Sequence, residues 1–225
     1  MCLVLLAWHV HPDYPLIVAA NRDEFFDRPT AQAAFWEDSP GVLGGRDLAR
    51  GGTWLGITRS GRFAALTNYR EPSLKLRDAL SRGAVVARFL TDGESPAGFR
   101  DFLEAEGHKY NGFDILFSDG RTMGYYSNVD GGGQALVPGI YGLSNHLLDT
   151  PWPKVVRAKN AVSSAIDALP DTEPLFTLLR DDRIANDEEL PDTGVSLDWE
   201  RLLSAAFVRS PSYGTRSSTV LFATA

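Results

Sequence analysis

Cys2 directly follows Met1 and is the single cysteine of a 225-residue chain. A thiol in that position offers a particular nucleophilic chemistry. A small second residue permits removal of the initiator methionine, which leaves one residue carrying both a thiol and a free α-amine. Their ordinary pKa values are about 8.5 and about 7.7–8.0. The amine can therefore accept the thiol proton near neutral pH, directly or through a water, and the nucleophile carries its own base. The alternative is a small apolar residue opening a core strand, since an unpaired cysteine is often buried and inert. The run Asn21-Arg22-Asp23-Glu24 supplies charge. Arg22 suits a thiolate or a substrate carboxylate, and Asp23 suits an α-ammonium; the competing reading is a cluster of ion pairs at a strand end. His9, His11, His108 and His146 show no metal-ligand spacing, so neither a metal nor another cofactor is expected. His146 follows Asn145 and can approach a pocket that Asn145 lines, although a lone histidine is more often a satisfied surface residue.

The elements that must position these groups are legible in outline. Cys2 to Val10 is a continuous apolar run of strand length, which predicts burial on both faces. The turn cluster from His11 to Pro15 and the run Leu16 to Ala20 complete a hairpin that returns Asn21–Glu24 towards Cys2. Phe25 to Gly52 reads as a long irregular loop. The pairs Gly44-Gly45 and Gly51-Gly52 around Arg46-Asp47 lack the lysine of a phosphate loop and suit tight backbone turns beside the site. Hairpins are expected at 53–67 and at 113–126, turning at Ser60-Gly61 and Asp119-Gly120. Helices are expected over 80–90, from an N-cap at Ser95 with Pro96 at the first position, and over 152–169. The last of these carries Trp152, Val155, Val156, Val162, Ile166 and Leu169 on one stripe, with Lys154, Arg157 and Lys159 largely off it. Short helices at 175–179 and 199–208 and strands at 140–144 and 219–222 finish the chain. Hairpins dominate, so the class is α+β with antiparallel sheets, and one domain is the simplest organisation.

Composition narrows the function classes. The net charge is −7, which disfavours general nucleic-acid binding. Between Arg46 and Arg88, eight arginines and Lys75 face only Asp47, Glu71 and Asp78. That stretch is either a solvated surface or a basic rim for a small anionic ligand. No segment has the length of a membrane span or the basic start of a signal peptide. One cysteine fits a reducing compartment, and a cytoplasmic protein is expected.

Several motifs together are specific. Met1-Cys2 opening a strand and Asn21-Arg22-Asp23-Glu24 are joined by Gly44-Gly45-Arg46-Asp47, Gly51-Gly52-Thr53-Trp54-Leu55-Gly56, Thr67-Asn68-Tyr69-Arg70, Gly142-Leu143-Ser144-Asn145 and Tyr213-Gly214-Thr215-Arg216-Ser217-Ser218-Thr219. In this order they resemble the NRDE-motif family, also called the transport and Golgi organisation protein 2 family. The resemblance implies a four-layer αββα sandwich of the N-terminal-nucleophile (Ntn) hydrolase type, and similarity to choloylglycine and penicillin V acylases. It implies catalytic roles for Cys2, Arg22, Asp23, Asn68 and Asn145, the two asparagines forming an oxyanion hole. Neutral amides at strand ends suit that task, and they equally suit turn chemistry. The acylase spacing between arginine and aspartate is longer than in Arg22-Asp23, so which acid meets the amine is open. Substrate contacts are expected from Arg46, Asp47, His146 and Arg216, the last either gripping an anion or holding the long loop through Asp23 or Glu24. Two functions follow. One is a cysteine amidohydrolase or acyltransferase for a small non-peptide amide or acyl compound. The other, from links made for the family, is a non-enzymatic protein binding and trafficking haem, lipid or acyl-CoA. The family pattern also leads one to expect further chain beyond Ala225.

Overall fold

The computed structural model describes residues 2–74 and 76–224, with the backbone alone at Leu74. Met1, and with it the expected processing step, lies outside the described residues. In chain order the strands are β1 (Cys2–Trp8), β2 (Leu16–Phe25), β3 (Thr30–Phe35), β4 (Val42–Asp47), β5 (Leu55–Thr58), β6 (Phe63–Asn68), β7 (Phe113–Ser118), β8 (Met123–Ser127), β9 (Gly133–Leu136), β10 (Gly139–Leu143) and β11 (Tyr213–Ala223). The α-helices are α1 (Arg82–Thr91), α2 (Pro96–Glu106), α3 (Pro153–Ile166), α4 (Glu173–Leu179) and α5 (Leu197–Leu203). The chain divides into two compact units, residues 1–27, 70–73 and 138–225 on one side and residues 28–69 and 74–137 on the other.

The first unit holds an antiparallel sheet in the order β10-β1-β2-β11. Cys2 lies opposite Arg22, and Leu3 opposite Asn21. Side chains alternate along a strand, so Leu3, Leu5, Ala7, Ile17 and Ala19 share a face. They pack under Val155, Ala158, Val162, Ala165 and Ile166 of α3 and under Leu175 and Leu179 of α4. The opposite parity, from Val4 to Trp8, is buried as well, as the unbroken apolar run requires. β11 pairs with β2 along its length, with a bulge that leaves Arg216 as the extra residue between Thr215 and Ser217. Bulges of this kind re-aim side chains at strand ends.

The second unit is a seven-stranded antiparallel meander, β3 to β9 in sequence order. Its helices lay Val85, Val86, Phe89, Phe99 and Leu103 over Ala64, Leu66, Phe113, Ile115 and Phe117. Ser95 accepts from the Gly98 amide as the N-cap of α2, with Pro96 at its first position. The arginines of the basic stretch here are engaged inside the unit: Arg62 by the carbonyls of Phe89 and Glu94, Arg82 by the Gly112 carbonyl, and Arg88 by Glu94.

Four expectations are corrected. The loop expected over 25–52 contains β3 and β4. β3 is a mostly exposed edge strand, and β4 carries two glycines, so neither shows the apolar alternation that marks a strand. β9 is a second exposed edge strand that composition hides. The last strand starts at Tyr213, six residues before the apolar stretch 219–222. On α3 the buried stripe includes Lys154, whereas Val156 is exposed. Lys154, Ala158, Val162 and Ile166 follow an i, i+4 row, and that row faces the sheet.

Two predictions concern the second unit. Gly52 has φ +76°, and a Cβ there would sit 2.3 Å from the carbonyl carbon and oxygen of Gly83. Gly52→Ala combines left-handed strain with a backbone clash, so urea unfolding should show a loss of roughly 3 kcal/mol; an unchanged midpoint would contradict the packing of α1 on this turn. Asp114 is fully buried on β7, accepts from the Tyr125 hydroxyl at 2.8 Å, and is pushed up to about 7 by burial. Its ordinary value is about 3.9, so the folded state binds the proton more tightly. Its contribution to stability is full at low pH and is lost as pH rises through about 7. Asp114→Asn should remove that loss, melting several degrees above the wild type at pH 8 and converging with it near pH 4. Parallel melting curves across that range would refute the assignment.

Candidate functional site

The site is assembled at one end of the first unit's sheet, where β1 begins. Cys2 is held by two consecutive residues that follow β10. Ser144 Oγ donates to the Cys2 carbonyl at 2.9 Å, and the Cys2 N–H donates to Asn145 Oδ1 at 3.1 Å. Asn145 adopts φ +59°, a left-handed conformation that asparagine tolerates better than most residues. That turn swings its amide against the start of β1. The carbonyl end of Asn145 meets the Cys2 nitrogen, which assigns the NH2 end to the role of donor.

Asp23 lies on the same strand face as Asn21, one residue beyond the Cys2–Arg22 pair. The Asp23 carboxylate is 2% exposed and accepts from Thr215 Oγ1 at 2.6 Å. Burial raises its pKa, and the charge of Lys154 opposes that rise. Asn21 serves the fold instead. Its Nδ2 donates to the carbonyls of Leu179 and Ala206, both at 2.8 Å, and its Oδ1 accepts from Ser218. Arg22 and Glu24 pair with each other at 3.6 Å. Within the four-residue run, then, Asp23 is buried against Thr215, Asn21 locks the strand to α4, and Arg22 flanks Cys2 across the β1–β2 pairing.

Around Asp23 the structure gathers ionisable groups that sequence reasoning left without roles. Lys154, at the second position of α3, is 1% exposed, and its Nζ makes no hydrogen bond among the described residues. Burial lowers it to about 8, with Asp23, Cys2 and Glu200 drawing it upward. Arg70 donates its backbone N–H to the Asn145 carbonyl at 2.8 Å, pairs with Glu200 at 2.7 Å and lies 4.4 Å over the Trp152 ring. Glu200 also accepts from the Thr193 amide. Tyr213 is buried beside these charges, and burial raises its phenol well above the ordinary value. Four charged side chains buried in one cluster are costly to desolvate and persist only when paired or used. The available signal was Lys154 in line with Ala158 and Val162 on α3, and Thr67-Asn68-Tyr69-Arg70 read for its asparagine alone.

Cys2 itself is 8% exposed, and burial pushes its thiol up. The sulfur is therefore a protonated thiol at neutral pH unless a base acts on it. Of the other expected site residues, Arg216 donates to the Phe25 carbonyl. His146 is half-buried, pairs with Thr150 at 2.8 Å and has its pKa lowered by burial. Asn68, Arg46 and Asp47 belong to the second unit. There Asn68 ends β6 opposite Phe113, Arg46 pairs with Asp38 and lies over Trp36, and Asp47 accepts from Arg28 at 2.7 Å. The cluster around Cys2 thus unites Asp23, Asn145 and the adjacent Arg22 among the expected catalytic residues. No helix of the described residues is long and apolar enough to cross a membrane.

Comparison with known proteins places the fold and the family. Penicillin V acylase from Agrobacterium tumefaciens superposes with a TM-score of 0.52 at 12% identity, over 87% of this chain and 74% of that one. The fold is that of the Ntn hydrolases, α+β with two antiparallel sheets. The Bos taurus transport and Golgi organization protein 2 homolog is 40% identical over 245 residues, covering 98% of this chain and 88% of that protein. The Homo sapiens homolog is 38% identical and the Drosophila melanogaster protein 31% identical, each over 98% of this chain, covering 88% and 87% of those proteins. A family model described as Transport and Golgi organisation 2 matches residues 1–225. The chain belongs to the transport and Golgi organisation 2 family.

Proposed function

We propose that this protein is a cysteine acyl-transfer enzyme, an amidohydrolase or acyltransferase acting on a small non-peptide amide or acyl compound, with Cys2 as nucleophile. The observation that carries the reading is the clamp on Cys2. Its nitrogen donates to Asn145 and its carbonyl accepts from Ser144.

In this reading Met1 is removed, and the Cys2 α-amine takes the thiol proton as sulfur attacks the acyl carbon. Asp23 balances the ammonium that forms, since an opposite charge favours the protonated amine. The Asn145 NH2 group donates to the developing oxyanion. Arg22, across the strand pair from Cys2, orients an anionic part of the substrate. The amine then passes its proton to the leaving group, and water or a second acceptor releases the acyl group from sulfur. A single, unpaired cysteine supports a cytoplasmic setting.

A panel of acyl amides and acyl thioesters, read by intact mass, tests the proposal. The expected result is a chain lacking Met1 that gains one acyl group on Cys2, with Cys2→Ala gaining none. Asn145→Ala should acylate about a hundredfold more slowly, the usual loss for one oxyanion donor. Efficient acylation of protein that keeps Met1 would sink the α-amine mechanism. No acylation of the wild type by any compound, together with haem binding that shifts the Soret band and is lost in Cys2→Ala, would favour the binding-and-trafficking function instead.

A further inference from the structure

We propose that Glu24 is a specificity-determining residue for the Cys2 site. It occupies Arg22 as a resident counter-ion, and the substrates admitted are those whose own compact anion, a carboxylate above all, takes the guanidinium in its place. This rests on the acyl-transfer reading and deepens it, because it names the charge that a substrate must carry and where.

The strand register supplies the geometry. Cys2 lies directly opposite Arg22 in the β1–β2 ladder. Side chains paired in this way share a face, with Cβ atoms about 5 Å apart. Side chains two apart along a strand also share a face, so Glu24 stands on the Cys2 face, one step beyond Arg22. The ion pair between them, 3.6 Å from Arg22 Nη2 to Glu24 Oε2, agrees with this placement. Asn21 and Asp23 are turned to the other face, where Asn21 binds the carbonyls of Leu179 and Ala206. The run Asn21–Glu24 therefore presents one guanidinium and one carboxylate on the side of the thiol.

This pair is built to exchange. Arg70 and Glu200 meet at 2.7 Å with 4% of each side chain exposed, whereas Arg22 and Glu24 meet at 3.6 Å with 13% and 22% exposed. A longer, partly hydrated ion pair contributes little stability, so changing partner costs little. Glu24 is also held independently of Arg22, since its other oxygen, Oε1, accepts the Phe25 backbone N–H at 2.9 Å. An anion that takes the guanidinium therefore leaves Glu24 with a hydrogen bond. A carboxylate suits the exchange, because the planar guanidinium fork can grip it with two parallel bonds. A neutral group cannot replace the charge that Arg22 would lose. An anion placed anywhere else on this face meets the repulsion of Glu24, so the pair selects position as well as charge.

Two measurements test this. In the first, Cys2 is labelled with methanethiosulfonates that share one reactive group and differ in charge, a sulfonatoethyl anion and a trimethylammonioethyl cation. Cys2 is the single cysteine of the chain, so every adduct seen by intact mass reports on this site. Glu24→Gln should raise the anion-to-cation rate ratio about tenfold, and only about threefold in an Arg22→Gln background. A ratio unmoved by Glu24→Gln overturns the proposal. So does an equal rise in both backgrounds, because Glu24 would then act by its field alone and not by occupying Arg22. The second measurement needs no variant. Labelling of the wild type by the uncharged methyl methanethiosulfonate is followed at constant ionic strength in rising propanoate and, separately, in rising propanamide. Propanoate should slow labelling to a plateau, and propanamide, of the same shape, should not. Equal protection by both, or by neither, overturns the proposal independently. If the wild type forms no acyl-enzyme while propanoate still protects Cys2, the acyl-transfer reading fails and the charge selection by Glu24 stands.

Discussion

Everything in the site depends on how the backbone of Cys2 is held. The first residue of a strand frays unless it is tied down. Here Ser144 and Asn145, consecutive in sequence, bind the carbonyl and the nitrogen of the same residue. This is possible only because β10 lies beside β1 and the chain turns sharply after Leu143 with Asn145 at positive φ. Arg70 then fastens the Asn145 carbonyl from its other side. The start of β1 is thereby held as a fixed point, with the Cys2 thiol, its nitrogen and the Asn145 amide in set positions.

That fixed point sits among charges, and burial decides how they behave. Asp23, Lys154, Arg70 and Glu200 all lie within the first unit with little exposure. Little water screens them, so each sets the proton affinity of the others far more than on a surface. The Arg70–Glu200 pair is direct and satisfied, with Trp152 beneath the guanidinium. Asp23 is tied to Thr215 and to the bulge at Arg216. Lys154 is placed differently, in electrostatic contact with several groups and hydrogen-bonded to none described. The cluster thus combines a directly paired arginine and glutamate with a buried lysine held by electrostatics alone.

The parts of the fold that sequence made legible are those with strong apolar patterning. β1, the β5–β6 and β7–β8 hairpins, α1 and the Ser95-capped α2 all announce themselves through burial or punctuation. β3, β9 and the first half of β11 do not, because edge strands and site-forming strands carry polar and small residues where core strands carry branched ones. At the site, Cys2, Asp23 and Asn145 were legible from motif and position. Lys154, Glu200 and Tyr213 were not, and for one reason: a charged or hydroxylated residue on a helix or late strand is normally solvated, and only the register of α3, α5 and β11 against the sheet turns it inward. Asn21 shows the reverse case. It heads the most recognisable motif of the chain, yet its amide binds the carbonyls of Leu179 and Ala206 and holds α4 to β2.

That reverse case bears on how the family motif should be read. Four adjacent residues on one strand cannot all face one site, since alternation sends them to opposite sides. Asn21 and Asp23 point towards the helices, while Arg22 shares the face of Cys2. The motif therefore does two jobs at once: it anchors the strand on one side and flanks Cys2 on the other. The likeness to penicillin V acylase, at 12% identity, transfers a fold and leaves the chemistry to be argued from the residues present. In this chain burial raises the Cys2 thiol itself, so any nucleophilic use of that sulfur needs a base within its reach.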